Sequence, residues 1–257
     1  MLDFEENLDE KARYQRSPLY KAVVAWHQHL SAHDVVRLVD SLNSCPMDTV
    51  GTICTGSGIE FKVYKCFQIY WLETFDMKVD IFHQFGAERD KAKQKFIIRE
   101  HPDLLVLMEE ASSCSKVSAE NKITEATVCV PSVRKLTAGF SCTSKSLLNV
   151  GRAANIACVQ KGEGSTGLTF SAVAETIEAI GPEEVILENL KQMAAKDEGQ
   201  DVSDKEWVVA WFKEHGYDAA WFEVEAMHFG SLANRFRLFL VAFKVVPGSC
   251  TERLSQW

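Results

Sequence analysis

The chain has 257 residues, of which 46% are hydrophobic and 25% charged, a composition typical of a soluble globular protein. No apolar run approaches the roughly 20 residues needed to cross a bilayer, and the acidic start at 1–6 lacks the apolar segment of a secretory signal. The 28 basic and 36 acidic residues give a net charge of −8, which excludes a globally basic coat for nucleic acid but not a local basic face.

The eight cysteines contain no CxxC pair and no spacing typical of a zinc finger. Together with the lack of a signal sequence, this predicts reduced thiols inside a cell rather than a disulfide framework. A chain of this length also buries enough surface to fold without a cross-link. We therefore expect an intracellular protein with no metal site.

Predicted helices and strands alternate along the chain. Residues 1–16 are polar and predicted to be loose, and one or two helices follow at 17–43, with Ser17-Pro18 as a start signal. The later predicted elements are a strand at 50–54, a helix at 59–75, a strand at 79–87, a helix at 90–99, a strand at 104–108, a polar loop at 111–125, a strand at 136–140, a helix at 167–180, a strand at 185–187, an acidic linker at 191–203, a helix at 204–215, and strands at 217–224 and 238–246.

This alternation predicts an α/β fold, with a mostly parallel sheet of about six or seven strands and helices on both faces. We expect one domain over 17–257. Only about 13 residues separate the last two strands, which is about the minimum for a crossover and favours antiparallel pairing. Ligands of such folds bind at the carboxyl ends of the strands, where chemistry is expected.

The first candidate site follows the first strand, in the glycine-containing segment Cys54–Gly58. Glycines let the backbone approach a ligand closely, and the N-terminus of the next helix favours a polar or negative group. Glu88 follows the second strand, where an acidic residue can accept hydrogen bonds from ribose hydroxyls. The third glycine of a dinucleotide fingerprint is missing, so an ordinary tight turn and a helix-capping glutamate remain open alternatives.

Three further candidates lie at the ends of later strands. Cys142 follows a buried strand, where a nearby cation or helix terminus would activate its thiol. Glu188 and Asn189 end another strand, and a carboxylate there is placed to donate a proton. Arg235 and Arg237 stand two residues apart, so both point to one face and together could hold a phosphate or carboxylate. The alternatives are an inert thiol, a capping residue and surface arginines.

Two stretches, 126–162 and 226–251, contain no acidic residue. Their basic residues are Arg134, Lys135, Lys145, Arg152 and Lys161 in the first stretch, and Arg235, Arg237 and Lys244 in the second. Because these stretches hold Cys142 and the arginine pair, the pattern predicts a positive edge that meets a polyanion, although a chance distribution is also open.

Taken in order, these motifs resemble the cytosine-5 DNA methyltransferase family over about 49–246. Segment 54–58 is similar to the family's cofactor loop, Phe-x-Gly-x-Gly-Gly, with Cys54 in place of the phenylalanine and Ile59 in place of the last glycine. Segment 139–143 is similar to Gly-Phe-Pro-Cys-Gln, with Ser141 and Thr143 as departures. Segment 187–190 is similar to the Glu-Asn-Val motif, and 229–238 to Phe-Gly-x-Pro-Gln-x-Arg-x-Arg, with Leu232 and Ala233 in place of proline and glutamine.

The resemblance implies a Rossmann-like methyltransferase fold and transfer of a methyl group from S-adenosyl-L-methionine to carbon 5 of cytosine in DNA. Cys142, as the one nucleophile among the eight cysteines, would attack carbon 6 of the flipped base. Glu188 would protonate ring nitrogen 3, and Asn189 would orient Glu188 or a neighbouring loop. Arg235 and Arg237 would hold the base or a phosphate. The implied cofactor contacts are Cys54, Gly56, Ser57, Gly58, Glu88 and Glu110.

The chain departs from the family after its last strand, where a target-recognition domain and a final cofactor motif normally follow. We therefore expect a truncated chain, a partner chain that supplies recognition, or a catalytically degenerate S-adenosylmethionine-binding regulatory subunit. An RNA cytosine-5 methyltransferase is a further alternative, whereas a nicotinamide dehydrogenase would give Cys142 and Glu188 no role. The expected location is the nucleus in a eukaryote and otherwise the cytoplasm, without membrane association.

Overall fold

The computed structural model describes residues 8–44, 47–146, 148–151, 157–196, 200–229 and 235–245. Its contacts divide the chain into two compact units, the first formed by 1–49 and 57–83 and the second by 50–56 and 84–257. The sequence predicts one domain over 17–257 instead. The difference arises because the helix after the first strand packs with the N-terminal helices around a small core of its own.

The first unit contains helices α1 (Leu8–Gln15), α2 (Pro18–Gln28), α3 (Ala32–Ser44) and α4 (Ile59–Phe75), with the first residues of strands β1 (Met47–Ile53) and β2 (Asp80–Ala87). Ser17 caps α2 as predicted, accepting a hydrogen bond from the Tyr20 amide at 3.1 Å. Residues 8–15 are helical rather than loose. The reason is tertiary, because Tyr14 packs on the cluster around Tyr70 and Lys11 pairs with Glu73 at 2.9 Å.

The second unit contains the remaining elements. These are α5 (Lys91–Glu100), β3 (Val106–Met108), β4 (Ser118–Glu120), β5 (Thr127–Cys129), β6 (Lys135–Ala138), α6 (Cys158–Lys161), α7 (Gly164–Ile180), β7 (Glu184–Asn189), α8 (Asp204–Glu214), β8 (Tyr217–Glu225) and β9 (Phe236–Lys244). Short 3₁₀ turns occur at 111–113, 191–194 and 226–229. Among the described helices, none combines the length and apolar character needed to span a membrane.

Seven strands form one sheet in the order β3-β2-β1-β6-β7-β9-β8. The pairs β2–β3, β1–β6 and β6–β7 are parallel, whereas β9 runs antiparallel to both β7 and β8. The predicted mostly parallel α/β sheet, with an antiparallel last strand pair, is confirmed. The chain runs outward from β1 to β3 and then returns to the other side of β1 as β6, which creates a switch point between β1 and β6.

A two-stranded hairpin, β4–β5, begins inside the region predicted as a polar loop at 111–125, and its second strand lies just after that region. Each strand has three residues, too few for a recognisable alternation of apolar and polar side chains. Asn121 attaches the hairpin to the edge of the sheet, since its Oδ1 accepts from the Leu107 amide and its Nδ2 donates to the Leu105 carbonyl, both at 3.0 Å.

Helix α7 carries much of the core that supports the β6–β7 half of the sheet. Phe170 on this helix packs edge-to-face on Phe140 after β6 and on Trp207 of α8. Gly167, one turn earlier, lies so close to the backbone at Cys158 and Gly162 that any Cβ there would collide with main-chain atoms. A side chain at residue 167 would therefore push α6 away from α7.

We expect Gly167→Ala to lower the free energy of unfolding by roughly 1–3 kcal/mol through overpacking, despite the gain of about 1 kcal/mol in helix propensity. Urea denaturation measures the change, with Leu168→Ala at the exposed neighbouring position as control. An increase in stability for Gly167→Ala would contradict the close packing of α6 on α7.

Candidate active site

Four strands bring their ends to one edge of the sheet in the second unit. The register aligns Ile53 of β1 with Ala138 of β6, and Ala138 with Leu187 of β7. Leu187 in turn lies opposite Leu240 of β9. Because β9 is antiparallel, its first residues reach the edge at which the parallel strands end. The predicted site segments after β1, β6 and β7 and before β9 therefore meet at one place.

The loop after β1 is held by Glu88, which follows β2. Gly56 donates its amide hydrogen to Glu88 Oε2 at 2.8 Å, and Asp90 donates its amide hydrogen to Oε1 at 2.9 Å. Thr55 joins the same loop to β2, because its amide donates to the Ala87 carbonyl at 3.0 Å. The buried Glu88 carboxylate thus fixes the conformation of the glycine turn. The sequence predicted ribose binding or helix capping for Glu88, and not this role.

Cys54 and Gly56 both adopt left-handed backbone conformations, with φ of 57° and 63°. Such a φ is uncommon for a residue with a side chain and clusters at ligand-binding turns. Burial, and then the nearby Glu88 carboxylate, raise the pKa of the Cys54 thiol to about 11. Cys54 is therefore a neutral thiol at physiological pH.

The residues around this turn fit a ribose-bearing cofactor. A Cβ built on Gly56 would approach only the Cys54 carbonyl oxygen, at 3.9 Å, so space is open above the glycine. A carboxylate has about four acceptor positions, and two backbone amides use only part of the capacity of Glu88. Ser57 is exposed and Gly58 caps α4, both within the first unit. Glu110 is exposed and lies 3.7 Å from Arg89 Nε.

The segment before Cys142 is fixed to its neighbouring strands. Gly139 donates its amide hydrogen to the Ile53 carbonyl at 3.3 Å. Asn189 is fully buried, and its Nδ2 donates to the Phe140 carbonyl at 3.1 Å, while its Oδ1 accepts from the Leu190 amide. Asn189 was expected to orient either Glu188 or a neighbouring loop. Its hydrogen bonds fit the second role, because Phe140 leads into the loop that carries Cys142.

The segment around and after Cys142 is fixed to the start of α7 by hydroxyl side chains. Ser141 donates its amide hydrogen to Thr169 Oγ1 at 3.0 Å. Ser144 and Thr166 exchange amide-to-hydroxyl hydrogen bonds of 3.1 and 3.3 Å. Sequence reasoning missed Thr166 because it began the helix at 167. The run of serine and threonine just before that position was the available signal.

Glu188 and Arg237 form an ion pair at the centre of the edge, with Arg237 Nε 2.5 Å from Glu188 Oε1. Both side chains are partly exposed. The other carboxylate oxygen, Oε2, would lie 3.5 Å from a Cβ built on Gly139, so the carboxylate reaches over the backbone that leads to Cys142. The structure thus places the Cys142 loop, a carboxyl group and a guanidinium together.

The two arginines do not act alike. Arg237 belongs to β9 and is ion-paired, whereas Arg235 precedes the strand, is exposed, and contributes its carbonyl to a bond with the Ala226 amide. Residues 230–234 of the predicted motif, including Leu232 and Ala233, lie outside the described residues. The joint hold of both arginines on one anion stays a prediction.

Four basic residues of the two acid-free stretches are in ion pairs. These join Arg134 to Glu183 at 2.8 Å, Lys135 to Glu184 at 2.6 Å, Lys145 to Asp204 at 3.1 Å and Arg237 to Glu188 at 2.5 Å. The acids come from 183–204, which the fold brings beside the acid-free stretches. The Arg237–Glu188 pair lies at the edge of the candidate site, whereas the pairs of Arg134 and Lys135 lie at the other end of β6 and β7, so the positive edge stays a prediction. Arg152 lies outside the described residues.

A family model for C-5 cytosine-specific DNA methylases matches residues 112–249, more than half of the chain. The chain belongs to this family. The match covers the Cys142 loop, the Glu188–Arg237 pair and the strands that carry them. The residues brought to one edge are thus the ones that the resemblance singled out, apart from the cofactor loop, which lies before the matched region.

Solved structures of methyltransferases are similar to this family member at low identity. The S. pombe Dnmt2 methyltransferase has a TM-score of 0.47 and 13% identity, over 79% of this chain and 51% of that one. A putative DNA modification methyltransferase encoded within a prophage of E. coli has a TM-score of 0.46 and 14% identity, over 76% and 46%. The chain spans about half the length of these structures. No curated protein matched in a sequence comparison.

We expect iodoacetamide at pH 8 to modify Cys142 well before Cys54, although both side chains are partly buried. With its pKa at about 11, Cys54 has only about a thousandth of its thiol ionised at pH 8. Mass spectrometry of timed digests measures both rates, with the exposed Cys129 as reference. Raising the pH towards 10 should accelerate the labelling of Cys54 in particular. Faster labelling of Cys54 than of Cys142 at pH 8 would contradict the raised pKa of the Cys54 thiol.

Proposed function

We propose that this chain transfers a methyl group from S-adenosyl-L-methionine to carbon 5 of a cytosine in DNA through a covalent bond to Cys142. The observation that carries the proposal is the Glu188 carboxyl group beside the Cys142 loop, held by Arg237 in the region that matches the methylase family. A soft nucleophile, a proton donor and a fixed positive charge are the groups that this reaction needs.

In the proposed reaction a cytosine flipped out of its helix enters beside Glu188. The Cys142 thiolate attacks carbon 6, and the bonding electrons move through the ring towards nitrogen 3. Glu188 gives a proton to nitrogen 3, so that negative charge does not build up on the base. Arg237 keeps the Glu188 carboxyl group at the edge and stabilises it once the proton has left.

The cofactor, when bound, supplies the electrophilic methyl group for carbon 5. Gly56 gives it room, and Glu88 accepts hydrogen bonds from its ribose hydroxyls, while the contacts expected from Cys54, Ser57, Gly58 and Glu110 belong to the same proposal. Water then takes up the proton on carbon 5 as the Cys142 thiolate departs, and nitrogen 3 returns its proton to Glu188, which completes the cycle. The partner in this proposal is DNA, with RNA as the alternative substrate and a further chain or segment supplying target recognition.

A non-catalytic S-adenosylmethionine-binding subunit is the second candidate, favoured by the closed Glu188–Arg237 pair. In that pair Arg237 Nε already occupies Glu188 Oε1, at 2.5 Å, so this oxygen is engaged before any base enters. In such a subunit the pair would serve only to join β7 to β9. Cofactor binding without any reaction at Cys142 would distinguish this candidate from the enzyme.

We expect an oligonucleotide duplex containing 5-fluorocytosine to form a denaturation-resistant adduct with the chain in the presence of S-adenosylmethionine. A base can remove hydrogen from carbon 5 as a proton, but it cannot remove fluorine. The final elimination is therefore blocked, and the bond between Cys142 sulfur and carbon 6 persists. Cys142→Ser should abolish the adduct, and Glu188→Gln should slow its formation about 100-fold or more. Electrophoresis and peptide mass spectrometry measure its amount and attachment site.

The matched controls are Glu184→Gln, on the same face at the opposite end of β7, and Cys129→Ser, an exposed thiol. Both should form the adduct at the wild-type rate. The same oligonucleotide made as RNA shows which nucleic acid is preferred. An adduct that survives Cys142→Ser would contradict Cys142 as the nucleophile. An absence of adduct from both nucleic acids, while calorimetry shows cofactor binding, would overturn the enzyme in favour of the non-catalytic subunit.

A further inference from the structure

Lys145 and Asp204 form an ion pair inside the second unit, away from solvent. Lys145 Nζ lies 3.1 Å from Asp204 Oδ2, and the two side chains are 5% and 0% exposed. Lysine is rarely buried so completely unless it is paired. A buried pair of this kind contributes little net stability, because removing both charges from water opposes their attraction, and apolar residues of similar volume are often as stable. Stability alone therefore does not account for it.

The pair connects the Cys142 loop to α8. Lys145 donates its amide hydrogen to the Cys142 carbonyl at 3.2 Å, which closes a turn over 142–145. Asp204 is the first residue of α8, where the capping box of Ser203 and Glu206 fixes the backbone. The Lys145 side chain thus runs from the turn that contains Cys142 to a rigid helix start.

The Asp204 carboxylate has few contacts in the described structure other than the one with Lys145. Its Oδ1 is buried and accepts no hydrogen bond from the part of the chain that the structure describes. The Cys158 thiol lies 4.0 Å from Oδ2. With so few other contacts, the position of this carboxylate depends on Lys145, and the turn position depends on the carboxylate in return. Ser144 anchors the same turn to α7 through Thr166.

We propose that Lys145 is a positioning residue for Cys142, whose buried ion pair with Asp204 locks the turn 142–145 onto the start of α8 and thereby fixes the place of the thiol. This inference rests on the proposed function only for its consequence in catalysis. The Lys145–Asp204 ion pair holds the turn in the folded chain whether or not catalysis occurs. The labelling rate of Cys142 therefore tests it separately. A charged pair is directional, whereas the apolar residues that could replace it would allow the turn to shift.

The deciding variant is the double substitution Lys145→Met with Asp204→Leu, which removes the directional contact without leaving a charge unpaired. We expect it to fold and melt near the wild-type temperature. Iodoacetamide should nevertheless label its Cys142 at least about fivefold faster than in the wild type, relative to Cys129, because the released turn exposes the partly buried thiol. Lys145→Arg should label within twofold of the wild type.

Methyl transfer provides the second readout. A displacement of about 1 Å at a reacting atom can slow a reaction about 100-fold. We therefore expect kcat of the double variant to fall by about that factor, with KM for S-adenosylmethionine within twofold. Lys145→Arg should restore most of kcat, and Lys135→Met, which breaks the ion pair with Glu184 at the far end of β6, should leave both constants unchanged.

The two proposals fail in different ways. A wild-type chain without methyl transfer or adduct overturns the proposed function, while the labelling rates still decide on Lys145. A folded double variant whose Cys142 is labelled at the wild-type rate overturns the positioning role. If the double variant does not fold, the same comparison is made with Asp204→Asn, which keeps the shape of the side chain, and an unchanged labelling rate there is equally contrary to the proposal.

Discussion

The antiparallel pairing of β9 with β7 brings Arg237 to the edge where the parallel strands end, and the Glu188–Arg237 ion pair follows from it. A parallel β9 would carry its first residues to the opposite edge, and Glu188 would lie at the site without a cation. The same pairing places β9 between β7 and the edge strand β8, so β7 and its Glu188 are not at the border of the sheet. The direction of one strand thus determines the electrostatics of the site.

The Cys142 loop is held from three directions. Asn189 binds the Phe140 carbonyl from β7, the hydroxyl residues at the start of α7 bind Ser141 and Ser144, and Asp204 of α8 binds Lys145. Strand β7 is fixed by its register with β6 and β9, and α8 by its capping box, whereas the start of α7 is held by its close packing on α6. A loop supported in this way can keep a reactive group in place without a bound substrate.

The mostly parallel sheet, its antiparallel last strand pair and the four site segments were predictable, because apolar periodicity and turn residues report local structure reliably in long elements. Segment 8–15 was not, since its helix depends on Tyr14 and Lys11 contacting α4, which lies far along the chain. The ion pairs of the basic residues were not predictable for a similar reason. Glu183, Glu184 and Asp204 are remote in sequence from the lysines and arginines that they neutralise, and only the fold brings them together.

The central claim is that this family member methylates cytosine at the edge formed by β1, β6, β7 and β9. The most direct measurement is the transfer of labelled methyl groups from S-adenosylmethionine to duplex DNA, with nucleoside analysis of the product. The account predicts label in 5-methylcytosine for the wild-type chain, supplied with a recognition partner where one is required, and none for Cys142→Ser. Label on another base or atom, or equal labelling by Cys142→Ser, would contradict it.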